Sequence, residues 1–241
     1  SMDVAEKELL TSLSKAYHLY NHLLDLIVAI TREERLRYEV QCQRAEREGL
    51  DMPSSRFVYN RFAIQLEEND QLAQFKDEKK LTWRDDVEFI RKMCTLIEQT
   101  EVYKEYMAAE TDSYDIDREL WRKLYKLVIE NNDDLDQVLE ERSLYWNDDK
   151  EIVDSFVLKT IKRFDPVNGA KQELLPEYKD EEDKEFACRL LRGAILSGET
   201  YRRMMGDYSR IWELNRLAFM DVIIMQIAIA EMFAFPNIPI S

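Results

Sequence analysis

The only histidines of the chain, His18 and His22, stand four residues apart, with Asp25 three further on. On a helix that spacing puts the three side chains on one face, and two imidazoles with a carboxylate are a zinc donor set. The same spacing is that of two ordinary histidines on an amphipathic helix beside Tyr17 and Tyr20, and that is the reading the neighbours favour. Asp112, Asp115 and Asp117 are spaced like calcium ligands, but their loop has neither the central glycine nor the terminal glutamate of such a site. They read instead as a polar hinge that caps a helix. There is no Glu-x-x-His pair for a di-iron bundle, no GxxxxGK[ST], GxGxxG or GxSxG, and nothing singles out two carboxylates as an acid–base pair. The expectation is a protein that is not an enzyme and needs no cofactor or metal.

Charge and rings are concentrated nearer the carboxy end. Between Phe186 and Leu217 lie Arg189, Arg192, Arg202, Arg203, Arg210 and Arg216, against Glu199, Asp207 and Glu213. Tyr201, Tyr208 and Trp212 interleave with them, which could give a stacking and phosphate-binding surface for RNA. At helical spacing the same residues also read as core and solvated faces. The next run, Leu217–Phe235, is apolar apart from Asp221, Gln226 and Glu231. These three are five residues apart, each step turning a helix by about 140°, so no face is polar. Two carboxylates make a central core helix the better reading than a membrane span. Asp221 must then be paired with a buried cation, solvated at a groove, or used by a partner.

The chain as a whole carries a net charge of −15 and cannot grip nucleic acid over its entire surface. Cys42, Cys94 and Cys188 are isolated, which excludes a zinc ribbon and a disulfide framework and fits a reducing, cytoplasmic setting. The amino end has no signal-peptide core.

Five glycines, five prolines and 34% charged residues point to a nearly all-helical chain. Apolar spacing predicts one long helix or two abutting ones over 3–48, ended by Gly49 and Pro53. Ser54 or Ser55 caps a segment carrying Phe57, Phe62 and Leu66, and Thr82 opens a helix with Phe89, Ile90, Met93 and Ile97. A short piece covers Val102–Met107, and a helix runs from Asp117 through Trp121 and Leu124 to Ile129. Asn131–Asp134 caps a shorter helix, Leu135–Tyr145, and Asp148 or Asp149 starts another through Phe156 and Phe164. The longest loop, Asp165–Tyr178, marks a boundary between an enlarged helical amino-terminal region, 1–165, and a carboxy-terminal helical core, 179–241.

Trp212-Glu-Leu-Asn-Arg216-Leu-Ala-Phe-Met-Asp221, continuing to Ile-Ala-Ile-Ala-Glu231, resembles the central helix of the NusB-type transcription antitermination factors. Asn237-Ile-Pro239 is similar to that family's short connector, and Phe186-Ala-Cys-Arg189-Leu-Leu-Arg192-Gly193 to its F-x-x-x-L-L-x-G helix. The resemblance covers roughly 180–241. It implies an all-α, multi-helix bundle with NusB-like carboxy-terminal helices. It further implies a cytoplasmic bacterial factor that pairs with the small-subunit ribosomal protein NusE, binds boxA RNA and joins the RNA polymerase elongation complex, without a membrane. In the family the acidic residue matching Asp221 lies on the NusE-binding face. Arg216, Asp221 and Glu231 are therefore the partner-binding candidates, although Glu231 also reads as tying down the helix end. Arg189, Arg192, Arg202 and Arg203 are the RNA-binding candidates. The alternative is a helical protein–protein adaptor without RNA binding, which the acidic charge suits.

The chain departs from the family in two places. Ser1–Leu24 holds Lys7 and Lys15 but none of the arginines that open typical members, and the sequence ends at Ser241, soon after the proline connector. The expectation is that both RNA-contacting ends are either cut off from this sequence or truly missing, leaving the Leu217–Phe235 helix undercovered and prone to instability or self-association.

Overall fold

The computed structural model describes residues 2–142 and 146–175, which form helices and turns and, among those described residues, no strand. The fold is all-α. The chain divides into two compact units, one of His18–Leu174 and one of Ser1–Tyr17 with Leu175–Ser241. Within the second, Tyr17 donates its hydroxyl to the Leu175 carbonyl at 3.1 Å.

Helix α1, Met2–Glu48, has 47 residues, a length of about 70 Å. Leu19, Leu23, Leu24, Leu26, Ile27 and Ile30 are wholly buried, and so are the polar Asn21, His22 and Asp25. A stretch closed off on every side is a central helix, and each such Leu or Ile contributes about 1.5–3 kcal/mol by leaving water. Beyond Thr31 the helix turns Arg- and Glu-rich and mostly exposed, with Glu34 and Ala45 staying buried. Gly49 (φ 66°) ends it, with Leu50 N–H donating to the Ala45 carbonyl at 2.9 Å, a Schellman closure that needs the left-handed backbone glycine adopts freely.

The next helix starts later than the serines suggest. Residues 51–60 form turns, in which Ser54 Oγ accepts only from Arg56 N–H. Helix α2, Arg61–Glu67, is capped by Asn60, and α3, Asp70–Lys79, by Asn69. Asparagine outcompetes serine here because each amide also donates to a distant carbonyl, which a hydroxyl of shorter reach would leave bare. A 3₁₀ turn, Arg84–Asp86, intervenes between Thr82 and α4, Val87–Gln99, whose Phe89, Ile90, Met93, Cys94 and Ile97 form the buried stripe. Thr100 caps α5, Glu101–Ala108. Ser113 caps α6, Tyr114–Leu124, three residues ahead of the Asp117 start expected from sequence.

Helix α6 widens into a π turn, Tyr125–Ile129. Asn132 then caps α7, Asp133–Arg142, through Leu135 N–H at 2.9 Å. Helix α8, Trp146–Arg163, leads to a 3₁₀ turn, Pro166–Lys171. Helix α6 is the hub of the unit, packing on α2, α5 and α8 with Trp121 and Leu124 fully buried. Phe62 of α2 meets Phe164 edge to face at 5.1 Å. No helix among the described residues is long and apolar enough to cross a membrane.

Candidate functional site

The histidine face is occupied by packing. His22 lies flat on Trp83, ring centroids 3.9 Å apart, and Trp83 Nε1 donates to the His22 carbonyl at 2.9 Å. Burial lowers the His22 pKa to about 3, reinforced by the charges of Arg142, His18 and Lys76, so the ring is neutral at physiological pH. His18 meets Phe75 edge-on at 5.1 Å. The third member, Asp25, is held by Lys76 Nζ at 2.6 Å. A zinc ion would have to displace that lysine, and among the described residues no group of three His, Cys, Asp or Glu side chains could hold a metal.

The three aspartates of the hinge also go separate ways. Asp112 pairs with Arg61 at 2.8 Å and Asp115 with Arg118 at 3.1 Å. Asp117 turns inward: its Oδ2 accepts from Arg61 N–H at 2.9 Å, and its Oδ1 from the Tyr106 hydroxyl at 2.7 Å. Asn60 Nδ2 donates to the Asp117 carbonyl at 3.1 Å while its Oδ1 caps α2. One carboxylate thus ties the starts of α2 and α6 to α5, a structural task that a free calcium ligand could not perform.

A second buried cluster depends on the π turn. Tyr125 donates its hydroxyl to Asp154 at 2.5 Å, and Lys150 Nζ reaches Asp154 at 2.9 Å and Asp136 at 3.8 Å. Burial pushes the Asp154 carboxyl above its usual range, opposed by Tyr125 and Lys150, and pushes the Tyr125 hydroxyl well up. Tyr125 and Lys150 thus both bond the Asp154 carboxylate, while Asp136 Oδ1 is buried without a hydrogen-bond partner.

A cavity of about 710 Å³ lies between α1, α3 and the Leu81–Ile90 segment, with Val28, Leu72, Trp83 and Ile90 among its lining residues. Its carboxylates are paired: Asp25 with Lys76, Glu67 with Arg32 at 2.8 Å and Arg35 at 3.2 Å, Glu33 with Arg91 at 3.1 Å, and Asp77 with Lys80 at 3.7 Å. Balanced pairs hold the walls and give a charged ligand no net attraction.

All of the partner- and RNA-binding candidates, Arg189, Arg192, Arg202, Arg203, Arg216, Asp221 and Glu231, lie outside the described residues. So do the expected core helix Leu217–Phe235 and its proline connector.

Comparison with known proteins places a likeness over that same stretch. Residues 156–241 match the model of the NusB family. The match begins inside α8 and takes in the 3₁₀ turn as well as the segments whose motifs carry the resemblance. The transcription antitermination protein NusB of Symbiobacterium thermophilum is 36% identical over 64 residues, 27% of this chain and 42% of that protein. The protein of the same name from Alkaliphilus oremlandii is 35% identical over 60 residues, 25% of this chain and 44% of its own length. That of Caldicellulosiruptor saccharolyticus is 34% identical over 71 residues, 29% of this chain and 54% of its own. The chain thus spans about half the length of the curated relatives it matches. No solved structure matches it.

Proposed function

We propose, on the premise that residues 156–241 are NusB-like, that this chain is a non-enzymatic factor of transcription antitermination. In this reading it pairs with NusE, and the pair engages boxA RNA on the nascent transcript within the RNA polymerase elongation complex. The observation that carries the reading is the match at 156–241 to proteins named for antitermination. Asp221, with Arg216 and Glu231, forms the partner-binding group, and Arg189, Arg192, Arg202 and Arg203 supply the cations for phosphate. With six arginines against three acidic residues, Phe186–Leu217 is locally basic on a chain of net charge −15. An acidic body repels RNA at long range, so a local patch completed by a partner is the arrangement the charge permits. The scaffold needs no chemistry of its own: contact area and charge complementarity supply the activity, and the composite site supplies specificity.

The test is binding of labelled boxA RNA at fixed, near-physiological salt, with and without purified NusE. Binding that appears or tightens with NusE supports the reading. Absence of binding to both RNA and NusE overturns it and favours the helical adaptor, the reading to which the net charge of −15 also lends itself. Asp221→Lys separates a partner role from a structural one: weakened NusE binding with an unchanged helical signal is expected, and loss of helix would make Asp221 a core ion-pair member.

A further inference from the structure

A smaller cavity of about 260 Å³ opens where α1 faces the Ser54–Val58 turn and the α4–α5 corner. Glu34, Glu98, Tyr38, Phe57 and Tyr103 line it, with Gln41 and Ser54 among the remaining polar groups. Two carboxylates meet here against one cation. Arg37 Nη1 bonds Glu98 at 3.3 Å, and its other nitrogen is spent on the Arg91 carbonyl at 2.9 Å and on Thr95 Oγ1 at 3.4 Å. Glu34 has only 6% of its side chain exposed, and its Oε1 has no hydrogen-bond partner. Arg37 Nη1 stands 3.8 Å from that oxygen, beyond hydrogen-bond reach. A buried carboxylate oxygen without a donor is costly, and Glu34 shares the cavity lining with Tyr38, Phe57 and Tyr103, the last two with ring centroids 5.2 Å apart.

We propose that this cavity binds a primary alkylammonium group, seated between the Glu34 and Glu98 carboxylates with its methylene stem against Tyr38, Phe57 and Tyr103. The second carboxylate supplies the charge that Arg37 leaves unbalanced. The ammonium's three protons match oxygens of Glu34, Glu98, Gln41 and Ser54, of which Glu98 already meets Arg37 and Ser54 already accepts from Arg56 N–H. Ring faces stabilise an organic cation, whereas a divalent metal asks for about six oxygen ligands and finds two carboxylates. The volume suits a single side-chain-sized amine. The inference stands apart from the antitermination reading, since every residue it uses lies in the His18–Leu174 unit.

The groups facing Glu34 are Arg37 on its own helix, Cys94 and Glu98 on α4, and Tyr103 on α5. Burial first, then the Glu98 charge, raises the Glu34 carboxyl to about 7. The same surroundings push the Tyr103 hydroxyl up to about 12 and the Cys94 thiol higher than its usual value, so neither competes for the proton near neutrality. The bound cation needs Glu34 ionised, so binding releases a proton and strengthens as pH rises.

The full chain is titrated calorimetrically with n-butylammonium chloride, and with neutral n-butanol as control, at about 0.15 M salt. Butylammonium should bind where butanol does not, about tenfold more tightly at pH 8 than at pH 6 as Glu34 ionises. Glu34→Gln should weaken it at least tenfold, a loss of about 1.4 kcal/mol. Proton release from the unsubstituted chain, read at pH 7 in two buffers of different ionisation enthalpy, keeps the test open if that variant does not fold. Equal binding of amine and alcohol, no proton release, or occupancy by Mg²⁺ or Ca²⁺ in place of the amine overturns the proposal. Two further arms separate the sources of the group while both support the site. Tighter binding of 1,5-diaminopentane indicates a free polyamine; tighter binding of acetyl-Gly-Lys-Gly-amide indicates a lysine side chain.

Discussion

Two buried ionisable residues pull the stability of this protein in opposite directions with pH. Burial lowers His22 from 6.5 to about 3. The folded state therefore favours the neutral ring, and that contribution is complete above pH 6.5 and lost as pH falls towards 3. Glu34 is raised from 4.5 to about 7, so the fold favours its protonated form. Its contribution is complete below pH 4.5 and lost as pH rises through 7. Between pH 4.5 and 6.5 the two slopes oppose. Glu34→Gln removes one of them, and stability should then climb more steeply from pH 5 to pH 7, by on the order of 1–2 kcal/mol. Urea midpoints at the two pH values read this, and an unchanged difference would sink the assignment. At Asp117 the expectation is larger. Asp117→Ala strands Arg61 N–H and leaves the Tyr106 hydroxyl only its longer bond to the Arg56 carbonyl, and should cost about 2–4 kcal/mol in the same denaturation experiment.

At the scale of elements, caps decide more than apolar spacing does. The stripe of α4 and the glycine end of α1 are legible in the sequence because burial follows the 3.6-residue period and because glycine alone adopts φ 66° without strain. Helix α3 is illegible by the same criterion: only Leu72 of its ten residues is buried. Its start rests on Asn69, whose Oδ1 accepts from Leu72 N–H at 2.9 Å while its Nδ2 donates to the Gln172 carbonyl at 2.8 Å. A partner a hundred residues away leaves no local trace. The serine cap at 54–55 fails for the same reason, since Asn60 does the work through Asp117. At its other end α3 stops on Lys80 in the left-handed region, φ 54°. Lys80→Gly should raise stability by about 0.4–1 kcal/mol, because the lysine pays strain there and its contact with Asp77 is a solvent-exposed pair. A thermal melt checks it; a decrease would show that the lysine side chain contributes more than its geometry indicates.

For the whole molecule, the His18–Leu174 unit holds a core complete enough, from α1 through Trp121 to Phe164, to fold by itself. Residues 18–174 expressed alone should unfold in one cooperative urea transition; a broad, non-cooperative loss of helical signal would refute that. Of function, sequence shows more than the described structure does. The helix motifs around Arg189, Arg216 and Asp221 carry the family likeness, and they lie outside the described residues. What the sequence does not reveal is the Glu34 cavity. Its walls come from residues 34–41, 54–58 and 98–103, segments that no motif links and only the packing of α1 against the α4–α5 corner brings together.

Gln65 and Asn69 hold the Pro166–Lys171 turn through donors to Asp165, Gly169 and Gln172, and each of these bonds spans 100 or more residues of sequence. Such bonds close long loops, and they cannot form until the intervening helices have assembled. They belong to the far side of the folding barrier. Asn69→Ala should therefore hasten unfolding while leaving the refolding rate nearly as it was, so the turn acts as a latch that sets how long the folded unit lasts rather than how fast it is reached.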